Sequence, residues 1–283
     1  MDYKDLPGGF RIPVLGLGTW KIGGGREPDY SKDDEEVEII KQAILTGYTH
    51  IDTAEIYGGG HTEELVGTAI TEFNRSKLFL TTKVSKENLR YDDLISAAKS
   101  SLERLQTDYI DLYLIHAPNP SIPIKETMNA MDNLISEGLV KYVGVSNFTV
   151  SQLKEAQKYS NNKIVVNQIE YSLLTRNKGR YANNKNMESE TIPYCQKNDV
   201  IVMAERPVER GILLKPRPVI DRLSEKYGKT RAQIVINWLI SKKNIVTIPK
   251  STDIEHLKEN LGSIGWNLND EDIKLLDRTN FER

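Results

Sequence analysis

The sequence predicts an α/β fold, a (β/α)8 barrel of the TIM-barrel type with an N-terminal β-hairpin that closes the barrel bottom. Short apolar strands alternate with amphipathic helices eight times within 283 residues, and this alternation is typical of a parallel sheet. The first strand of the series ends in GLGTW. This turn lacks the third glycine that a dinucleotide-binding, open doubly wound sheet would carry. We therefore favour one closed barrel domain, residues 1–283, over an open sheet.

The chain begins with two short extended runs, Asp2–Leu6 and Phe10–Pro13, and the turn Pro7-Gly8-Gly9 between them predicts a hairpin. Eight later runs are rich in apolar and β-branched residues and are predicted to be the barrel strands. They are Val14–Leu17, Thr49–Asp52, Leu78–Lys83, Tyr109–His116, Val140–Val145, Ile164–Gln168, Val200–Ala204 and Asn244–Pro249.

Helices are predicted where apolar residues recur at three- and four-residue spacing. They are Ser31–Leu45, His61–Phe73, Tyr91–Leu105, Ile124–Glu137, Val150–Tyr159, Ser189–Asn198, Val219–Tyr227, Arg231–Ser241, Asp253–Leu261 and Asp270–Thr279. The first follows a glycine-rich loop and starts with Ser31 and Asp34 at the spacing of a capping box. The Asn-rich stretch Asn177–Asn186 is predicted to be a solvated loop.

The composition narrows the class of protein. There are 38 basic and 40 acidic residues, for a net charge of −2, and without a basic stripe we expect no nucleic-acid partner. The single cysteine, Cys195, excludes an intrachain disulfide and favours a reducing compartment. The polar N-terminus lacks a signal peptide, and no apolar run reaches the roughly 18 residues of a membrane helix. We expect a soluble cytoplasmic protein that is a monomer or a weak oligomer.

Four reactive side chains are predicted at one end of the barrel. Asp52, Lys83 and His116 end three successive strands, and Tyr57 lies on the loop after Asp52. The carboxyl ends of barrel strands converge on one mouth. A phenol has a pKa near ~10 and is a weak acid at neutral pH, but a nearby ammonium favours the phenolate. With Asp52 holding Lys83 and His116 donating to a carbonyl, Tyr57 is a candidate general acid for reducing C=O by hydride.

Each of these residues also has an ordinary interpretation. A strand-end lysine is usually solvated, an apolar-flanked histidine is usually part of the core, and a tyrosine beside glycines usually anchors a loop. A metal site is a further alternative, because His50, Asp52 and His61 lie close in sequence. It is disfavoured because only His116 is available as a ligand on a later strand, and His256 lies on a closing helix.

Together, several motifs resemble the aldo-keto reductase family over essentially the whole chain. They are the N-terminal hairpin, GLGTW, Asp52–Gly58 (DTAEIYG), Leu80–Lys83 (LTTK), Leu105–His116, Gly144–Phe148 (GVSNF), Asn167–Tyr171 (NQIEY) and Ile248–Ser251 (IPKS). The resemblance implies a (β/α)8 barrel that uses NADPH/NADP+ without a Rossmann fold. It also implies a catalytic tetrad of Asp52, Tyr57, Lys83 and His116, with Tyr57 as the acid.

The resemblance also implies where the cofactor binds. The expected cofactor residues are Thr19, Trp20, Asp52, Ser146, Asn147, Gln168, Glu205, Arg206, Pro207, Val208, Leu213, Ile248, Lys250, Ser251, His256, Glu259 and Asn260. Amide and hydroxyl groups at Ser146, Asn147 and Gln168 suit a carboxamide, which needs both donors and acceptors. Ser146-Asn147 is also a candidate N-cap for the helix from Val150.

A cation, a hydroxyl and a helix N-terminus at Lys250-Ser251 together predict an anion site. By resemblance this site takes the 2′-phosphate of NADPH, with Glu259 and Asn260 near the adenine. Relatives often carry arginine where this chain has His256. Histidine is charged only part of the time near neutrality, so we expect a preference for NADP over NAD with a reduced margin.

The clearest departure from the family pattern is Glu205, which stands where relatives commonly carry an aromatic ring against the nicotinamide. Such stacking contributes roughly 1–3 kcal/mol by analogy with bases on aromatic side chains. A carboxylate there would favour the positively charged oxidised ring, so we hypothesise that Glu205 shifts relative affinity toward NADP+. The alternative is that Glu205 turns outward and pairs with Arg206 or Arg210.

The substrate mouth is predicted to be lined by Trp20, Tyr57, His116 and the residues from Ala117 to Asn119. The short stretch after Leu261 offers no long capping loop, which favours an open site for small aldehydes or ketones. Two other functions are weighed against reduction. One is a redox-sensing regulatory subunit that binds NADP(H) on the same fold, and the other is an isomerase or lyase acting on a phosphorylated metabolite at Lys250.

Overall fold

The computed structural model of the chain describes residues 1–180 and 185–282. The loop predicted over Asn177–Asn186 therefore falls partly, at residues 181–184, outside the described residues. Two short strands, β1 (Tyr3–Asp5) and β2 (Arg11–Pro13), pair antiparallel as the predicted hairpin.

Eight parallel strands follow in sequence order around one sheet. They are β3 (Leu17–Gly18), β4 (His50–Asp52), β5 (Phe79–Val84), β6 (Ile110–Ile115), β7 (Val140–Ser146), β8 (Ile164–Glu170), β9 (Ile201–Glu205) and β10 (Ile245–Thr247).

The two ends of this sheet join. Leu15, just before β3, forms a parallel bridge with Thr247 at the end of β10. The Gly16 amide donates to the Thr247 carbonyl at 2.9 Å, and the Thr247 amide donates to the Val14 carbonyl at 3.0 Å. The sheet therefore closes on itself, which confirms the predicted barrel and excludes the open doubly wound sheet.

The described residues contain ten α-helices. They are α1 (Asp33–Thr46), α2 (His61–Ile70), α3 (Tyr91–Arg104), α4 (Ile124–Ser136), α5 (Val150–Tyr159), α6 (Ile192–Lys197), α7 (Pro218–Tyr227), α8 (Arg231–Ile240), α9 (Ile254–Leu261) and α10 (Asp270–Arg278). Each corresponds to a predicted helix. The helix predicted from Ser189 is the shortest, because a π-helical turn at Met187–Thr191 precedes α6.

Two predicted helix caps are wrong. The N-cap of α1 is Lys32, which makes no side-chain cap, so Ser31 does not form a capping box. The acidic residues of its first turn complement the helix dipole instead. The N-cap of α5 is Thr149, whose hydroxyl and Gln152 form a reciprocal capping box. Ser146 and Asn147 therefore do not cap α5.

The hairpin lies against the barrel bottom. Its apolar residues Leu6, Phe10 and Ile12 belong to a buried cluster with side chains from inside the barrel. The Phe10 ring packs edge-on against Phe79, the first residue of β5, at 6.1 Å between centroids. The hairpin thus covers the N-terminal ends of the strands and leaves the C-terminal ends for a site. No helix in the described residues is both long enough and apolar enough to span a bilayer.

Candidate active site

The Lys83–Asp52 ion pair lies at the centre of the mouth. The Lys83 ammonium lies 2.6 Å from Asp52 Oδ1 and donates to the Thr53 carbonyl at 2.7 Å. The two side chains are 0% and 2% exposed. Burial raises the pKa of Asp52, while the Lys83 charge and hydrogen bonds from Lys83 and Gln168 oppose the rise. The pair therefore holds a cation where water is excluded.

The Tyr57 ring lies above this pair. The Lys83 ammonium is 5.2 Å from the centroid of the Tyr57 ring. The rings of His116 and Trp20 approach the same phenol edge-on, at centroid distances of 5.8 and 4.9 Å. The four residues predicted as a tetrad therefore converge in space, with Trp20 against them as expected.

Glycines fix the loop that carries Tyr57. Gly58 has a φ of 55°, and its amide donates to the Gly25 carbonyl at 2.7 Å. A Cβ at Gly58 would lie 2.5 Å from the Gly23 carbonyl oxygen. Only glycine allows this close approach without strain. The glycine-rich loop after β3 is thereby joined to the peptide next to Tyr57.

His116 carries a neutral imidazole. Removal from water lowers the pKa of His116 to about 3, and the charges of Lys83 and Arg26 act in the same direction. Its Nδ1 is buried without a hydrogen-bond partner among the described residues. Since a neutral imidazole carries one N–H, this side chain can donate one hydrogen bond to a carbonyl oxygen without a competing proton transfer.

The predicted carboxamide residues are connected to the ion pair. The Gln168 amide donates to Asp52 Oδ2 at 2.8 Å, and its backbone carbonyl accepts from the Asn147 amide at 2.8 Å. The Asn147 side chain donates to Ser146 Oγ at 2.9 Å. These groups supply donors and acceptors at adjoining strand ends, so their chemistry fits a carboxamide.

The predicted anion site is only partly formed as expected. Asp253 is the N-cap of α9, and its carboxylate accepts from the amides of Glu255 and His256 at 2.8 and 3.1 Å. Two amides of this helix N-terminus therefore already donate to a carboxylate, which argues against the expectation that they add to an anion site. Lys250 makes no ion pair with a described residue, and it is exposed. Its fit to a phosphate rests on this available charge.

The two residues expected near the adenine, Asn260 and Glu259, differ in their burial. Asn260 is buried, and the Tyr48 hydroxyl near it donates to the Leu257 carbonyl at 3.2 Å. Glu259 is partly exposed, and its carbonyl accepts from the Gln233 amide at 3.0 Å. Their contact with adenine stays a prediction.

Glu205 ends β9 and faces the mouth. Its Oε1 is buried without a hydrogen-bond partner among the described residues. Burial raises the pKa of Glu205 to about 7, opposed by the charges of Arg206 and Lys83. Arg206 forms an ion pair with Glu170 at 3.6 Å rather than with Glu205. The alternative that Glu205 turns outward to pair with Arg206 or Arg210 is therefore wrong.

The segment after Glu205 has an unusual backbone. Arg206, Glu209 and Arg210 all have positive φ angles, between 47° and 56°, which cost energy for residues other than glycine. Pro207 and Val208 lie within this segment, and Leu213 is fully buried behind it. Such strain often lies at functional segments, and the contact of these residues with a cofactor stays a prediction.

A cavity of about 730 Å³ opens beside this group. Its lining includes five residues singled out from the sequence, namely His116, Ala117, Pro118, Asn147 and Glu205. Trp20, Tyr57 and Asn119, which were also predicted to line the mouth, are not among the residues that line this cavity. Other lining residues were not predicted and come from loops after β3, β4 and β5. They are Arg26, Glu55, Ile56, Gly59, Ser85, Lys86, Glu87 and Asn88, with Arg104 from α3. Glu55 and Ile56 fall within the motif Asp52–Gly58, but no motif marks Arg26 or Ser85–Asn88. The glycine run before Arg26 indicates a tight turn at the mouth.

The alternative of a metal site at His50, Asp52 and His61 is not supported by the positions of these residues. Among residues 1–180 and 185–282, no three His, Cys, Asp or Glu side chains are grouped to hold an ion. The His50 ring instead hydrogen-bonds Thr81 Oγ1 at 3.0 Å, and burial lowers the pKa of His50 to about 3. His50 is thus a core residue of the barrel.

Comparison with known proteins agrees with this geometry. The sequence profile of the Aldo/keto reductase family matches residues 14–280. Methylglyoxal reductase YeaE of Escherichia coli (strain K12) is 34% identical, over 96% of this chain and 92% of its own length. A thermostable aldo-keto reductase crystallised with the inhibitor epalrestat has a TM-score of 0.91 and 46% identity, covering 98% of this chain and 99% of that one. An aldo-keto reductase of Klebsiella pneumoniae crystallised with NADPH has a TM-score of 0.86 and 31% identity, covering 98% and 95%. The chain belongs to the aldo/keto reductase family and is an oxidoreductase of aldehyde and ketone groups.

Proposed function

We propose that this protein reduces small aldehydes to alcohols with NADPH, using Tyr57 as the proton donor. The observation that carries the proposal is the Tyr57 phenol beside the buried Lys83 ammonium, with the neutral His116 ring on its other side. NADPH supplies the hydride when bound. The remaining chemistry is the delivery of one proton to the carbonyl oxygen, and this is the step for which the four side chains are suited.

Each side chain has a separate role in that step. His116 donates a hydrogen bond that orients the substrate carbonyl. Tyr57 delivers its proton to the same oxygen as negative charge develops there. The Lys83 ammonium stabilises the phenolate that this leaves, because a charge in a dry site acts more strongly than in water. Asp52 keeps Lys83 charged and directed at the phenol.

The substrate class is small aldehydes, including dicarbonyl compounds. The relative from Escherichia coli is named a methylglyoxal reductase, and the cavity beside His116 is large enough for such molecules. The test is NADPH consumption by the purified protein with a panel that includes methylglyoxal and glyceraldehyde. Turnover of at least one member supports the proposal, and no turnover with any member contradicts it. A purely redox-sensing role has no observation in its favour, since all four residues of the tetrad are present.

The assembly and location are also proposals. We propose that residues 1–283 act as one barrel domain, as a monomer or weak oligomer in the cytoplasm. The single cysteine is buried and is compatible with a reducing compartment. Light scattering across protein concentrations would test the oligomeric state.

Lys250 and His256 are expected to set the choice between NADPH and NADH. Lys250→Gln should weaken NADPH binding about tenfold while leaving NADH unchanged, because it removes one charge-assisted contact to the 2′-phosphate. His256→Arg should widen the preference for NADPH, because arginine is always charged and binds phosphate through two N–H groups. Dissociation constants from fluorescence titration measure both effects. Equal affinity of the unmodified protein for NADPH and NADH would contradict the proposal.

Glu205 is expected to make relative cofactor affinity depend on pH. Since the pKa of Glu205 is raised to about 7, the carboxyl is neutral below this pH and ionised above it. An ionised carboxylate favours the oxidised, positively charged ring. The affinity for NADP+ relative to NADPH should therefore rise by roughly fivefold, about 1 kcal/mol, as pH increases through 7.

Calorimetric titration with each cofactor at acidic and alkaline pH measures this ratio. In Glu205→Gln the ratio should become independent of pH across this range. In Glu205→Tyr the affinity for NADPH relative to NADP+ should also increase, because the carboxylate is removed. An unchanged ratio in Glu205→Tyr would show that the hypothesis is wrong.

A further inference from the structure

We infer that Arg26 binds an anionic group on the substrate, so that the preferred aldehydes carry a carboxylate or a phosphate at the end away from the reacting carbonyl. The inference rests on the proposed reductase function and specifies its substrate class. Arg26 lines the same cavity as His116, and its charge acts on the His116 ring.

The backbone around Arg26 is held against the reaction centre. Arg26 lies within a turn closed by an antiparallel bridge between Gly24 and Pro28. The Gly25 carbonyl accepts from the Gly58 amide at 2.7 Å, and the Asp29 amide donates to the Gly23 carbonyl at 2.9 Å. Because Gly58 directly follows Tyr57, the turn carrying Arg26 is fixed to the loop that carries the proposed proton donor.

The residues that precede Arg26 in this loop are also held, by hydrogen bonds to residues of α1 and α2. The Gly23 amide donates to Glu36 Oε2 at 2.6 Å, and the Thr62 hydroxyl donates to the Ile22 carbonyl at 2.5 Å. The guanidinium therefore extends from a backbone that is tied to α1 and α2. Because this loop is already ordered, binding of a ligand to Arg26 costs less conformational entropy than binding to a cation on a flexible loop.

The charge of Arg26 is not held in an ion pair with any described residue, although it acts on the Glu87 carboxylate and contributes to lowering the pKa of that group. Across residues 1–180 and 185–282, no carboxylate forms an ion pair with it. The other two cations lining the cavity do have carboxylate partners: Arg104 lies 2.7 Å from Glu63 and Lys86 lies 3.9 Å from Glu87.

The carboxylates that line the cavity on this side are satisfied elsewhere. Glu55 accepts from the Ser85 amide at 2.5 Å and from the Asn88 side chain at 3.0 Å. Glu87 accepts from the Ser85 hydroxyl. Arg26 is thus a cation that can accept an anion from outside, and the planar guanidinium suits a carboxylate or a phosphate in two-point contact.

The experiment compares aldehydes that differ in one charged group. Succinic semialdehyde is paired with butanal, and glyceraldehyde 3-phosphate with glyceraldehyde, so that the carboxylate and the phosphate are tested separately. For the unmodified protein, KM should be lower for the charged member of at least one pair. Arg26→Gln should raise that KM about tenfold, with kcat changed less than twofold and the KM of the neutral member unchanged.

Two further variants control for charge and for folding. Lys99→Gln removes one exposed positive charge from α3 at a position that does not line this cavity, and it should leave both KM values unchanged. Arg26→Lys keeps the charge without the planar fork, and should fall between the unmodified protein and Arg26→Gln. Added salt should reduce the difference between charged and neutral aldehydes, because ions screen an exposed contact.

The outcomes separate the inference from the proposed function. Reduction of butanal and glyceraldehyde, without a selective effect of Arg26→Gln on either charged partner, overturns the Arg26 inference and leaves the reductase function standing. Equal loss with charged and neutral aldehydes also overturns it, since Arg26 would then support the mouth rather than bind an anion. Failure to reduce any of the four aldehydes overturns both.

Discussion

Tyr57→Phe is expected to lower kcat for aldehyde reduction by about 10²–10⁴-fold, the usual contribution of a positioned general acid. The substitution removes only the hydroxyl. The ring keeps its edge-on contacts with Trp20 and His116, so cofactor affinity and folding should stay close to those of the unmodified protein. Single-turnover oxidation of bound NADPH measures the effect on the chemical step without interference from product release.

The chain contains a matched control for this substitution. Tyr113 on β6 is fully buried, and its hydroxyl has no hydrogen-bond partner among the described residues. Because Tyr113 is not one of the four residues of the tetrad, Tyr113→Phe should leave kcat and KM unchanged. If Tyr57→Phe keeps more than a tenth of the activity, or if Tyr113→Phe loses as much, Tyr57 is not the proton donor.

The position of the tetrad was predictable because it depends on strand ends. Asp52 and Lys83 lie at or next to the ends of β4 and β5, and His116 directly follows β6. In a closed barrel these ends meet whatever the exact strand limits are, so an error of one residue does not move the site. The family membership and the NADP(H) chemistry that the motifs implied agree with the comparisons.

The details that could not be predicted depend on backbone angles and on loops. The caps expected at Ser31 and at Ser146-Asn147 failed because a cap requires an extended φ/ψ as well as the right side chain, and at the start of α5 the residue that has both is Thr149. Asp253 occupies the α9 amides that were expected to bind an anion. The pairing of Arg206 with Glu170 rather than with the adjacent Glu205 depends on the folded backbone, and the sequence alone left it open.

The loops that line the cavity are the part of the site that the sequence predicts least well. Arg26 has no motif of its own, and its neighbours in the cavity come from separate loops. Its position follows from glycine contacts between two loops far apart in sequence, and a single sequence does not reveal that Gly25 and Gly58 are paired. The proposed anion contact therefore lies in the region that sequence patterns describe least, in keeping with the variability of loops on a fixed barrel.

Lys83→Met is expected to lower turnover by about 10²–10³-fold, because the developing phenolate loses its preorganised cation. Methionine has a similar length and is flexible enough to fill the space. The variant should also lose stability, since it leaves a buried carboxylate without its partner, at a cost of about 3–5 kcal/mol. Urea unfolding and single-turnover kinetics on the same preparation measure the two effects.

The loss of stability should depend on pH in a defined direction. Burial already raises the pKa of Asp52 in the folded protein, and removing the ammonium raises it further. A carboxyl whose folded pKa exceeds its unfolded pKa contributes stability below the unfolded value and loses it as pH rises through the folded value. Lys83→Met should therefore be least destabilised near about pH 4 and progressively more so toward neutrality.

A double variant separates catalysis from stability. Lys83→Met with Asp52→Asn removes both charges and keeps a side chain that can accept from the Gln168 amide, which now donates to Asp52 at 2.8 Å. Stability should largely return and lose its pH dependence, because no buried charge is left uncompensated, whereas activity should stay low. Return of activity together with stability would mean that the ion pair only maintains the fold, and that the proton on Tyr57 needs no cation beside it.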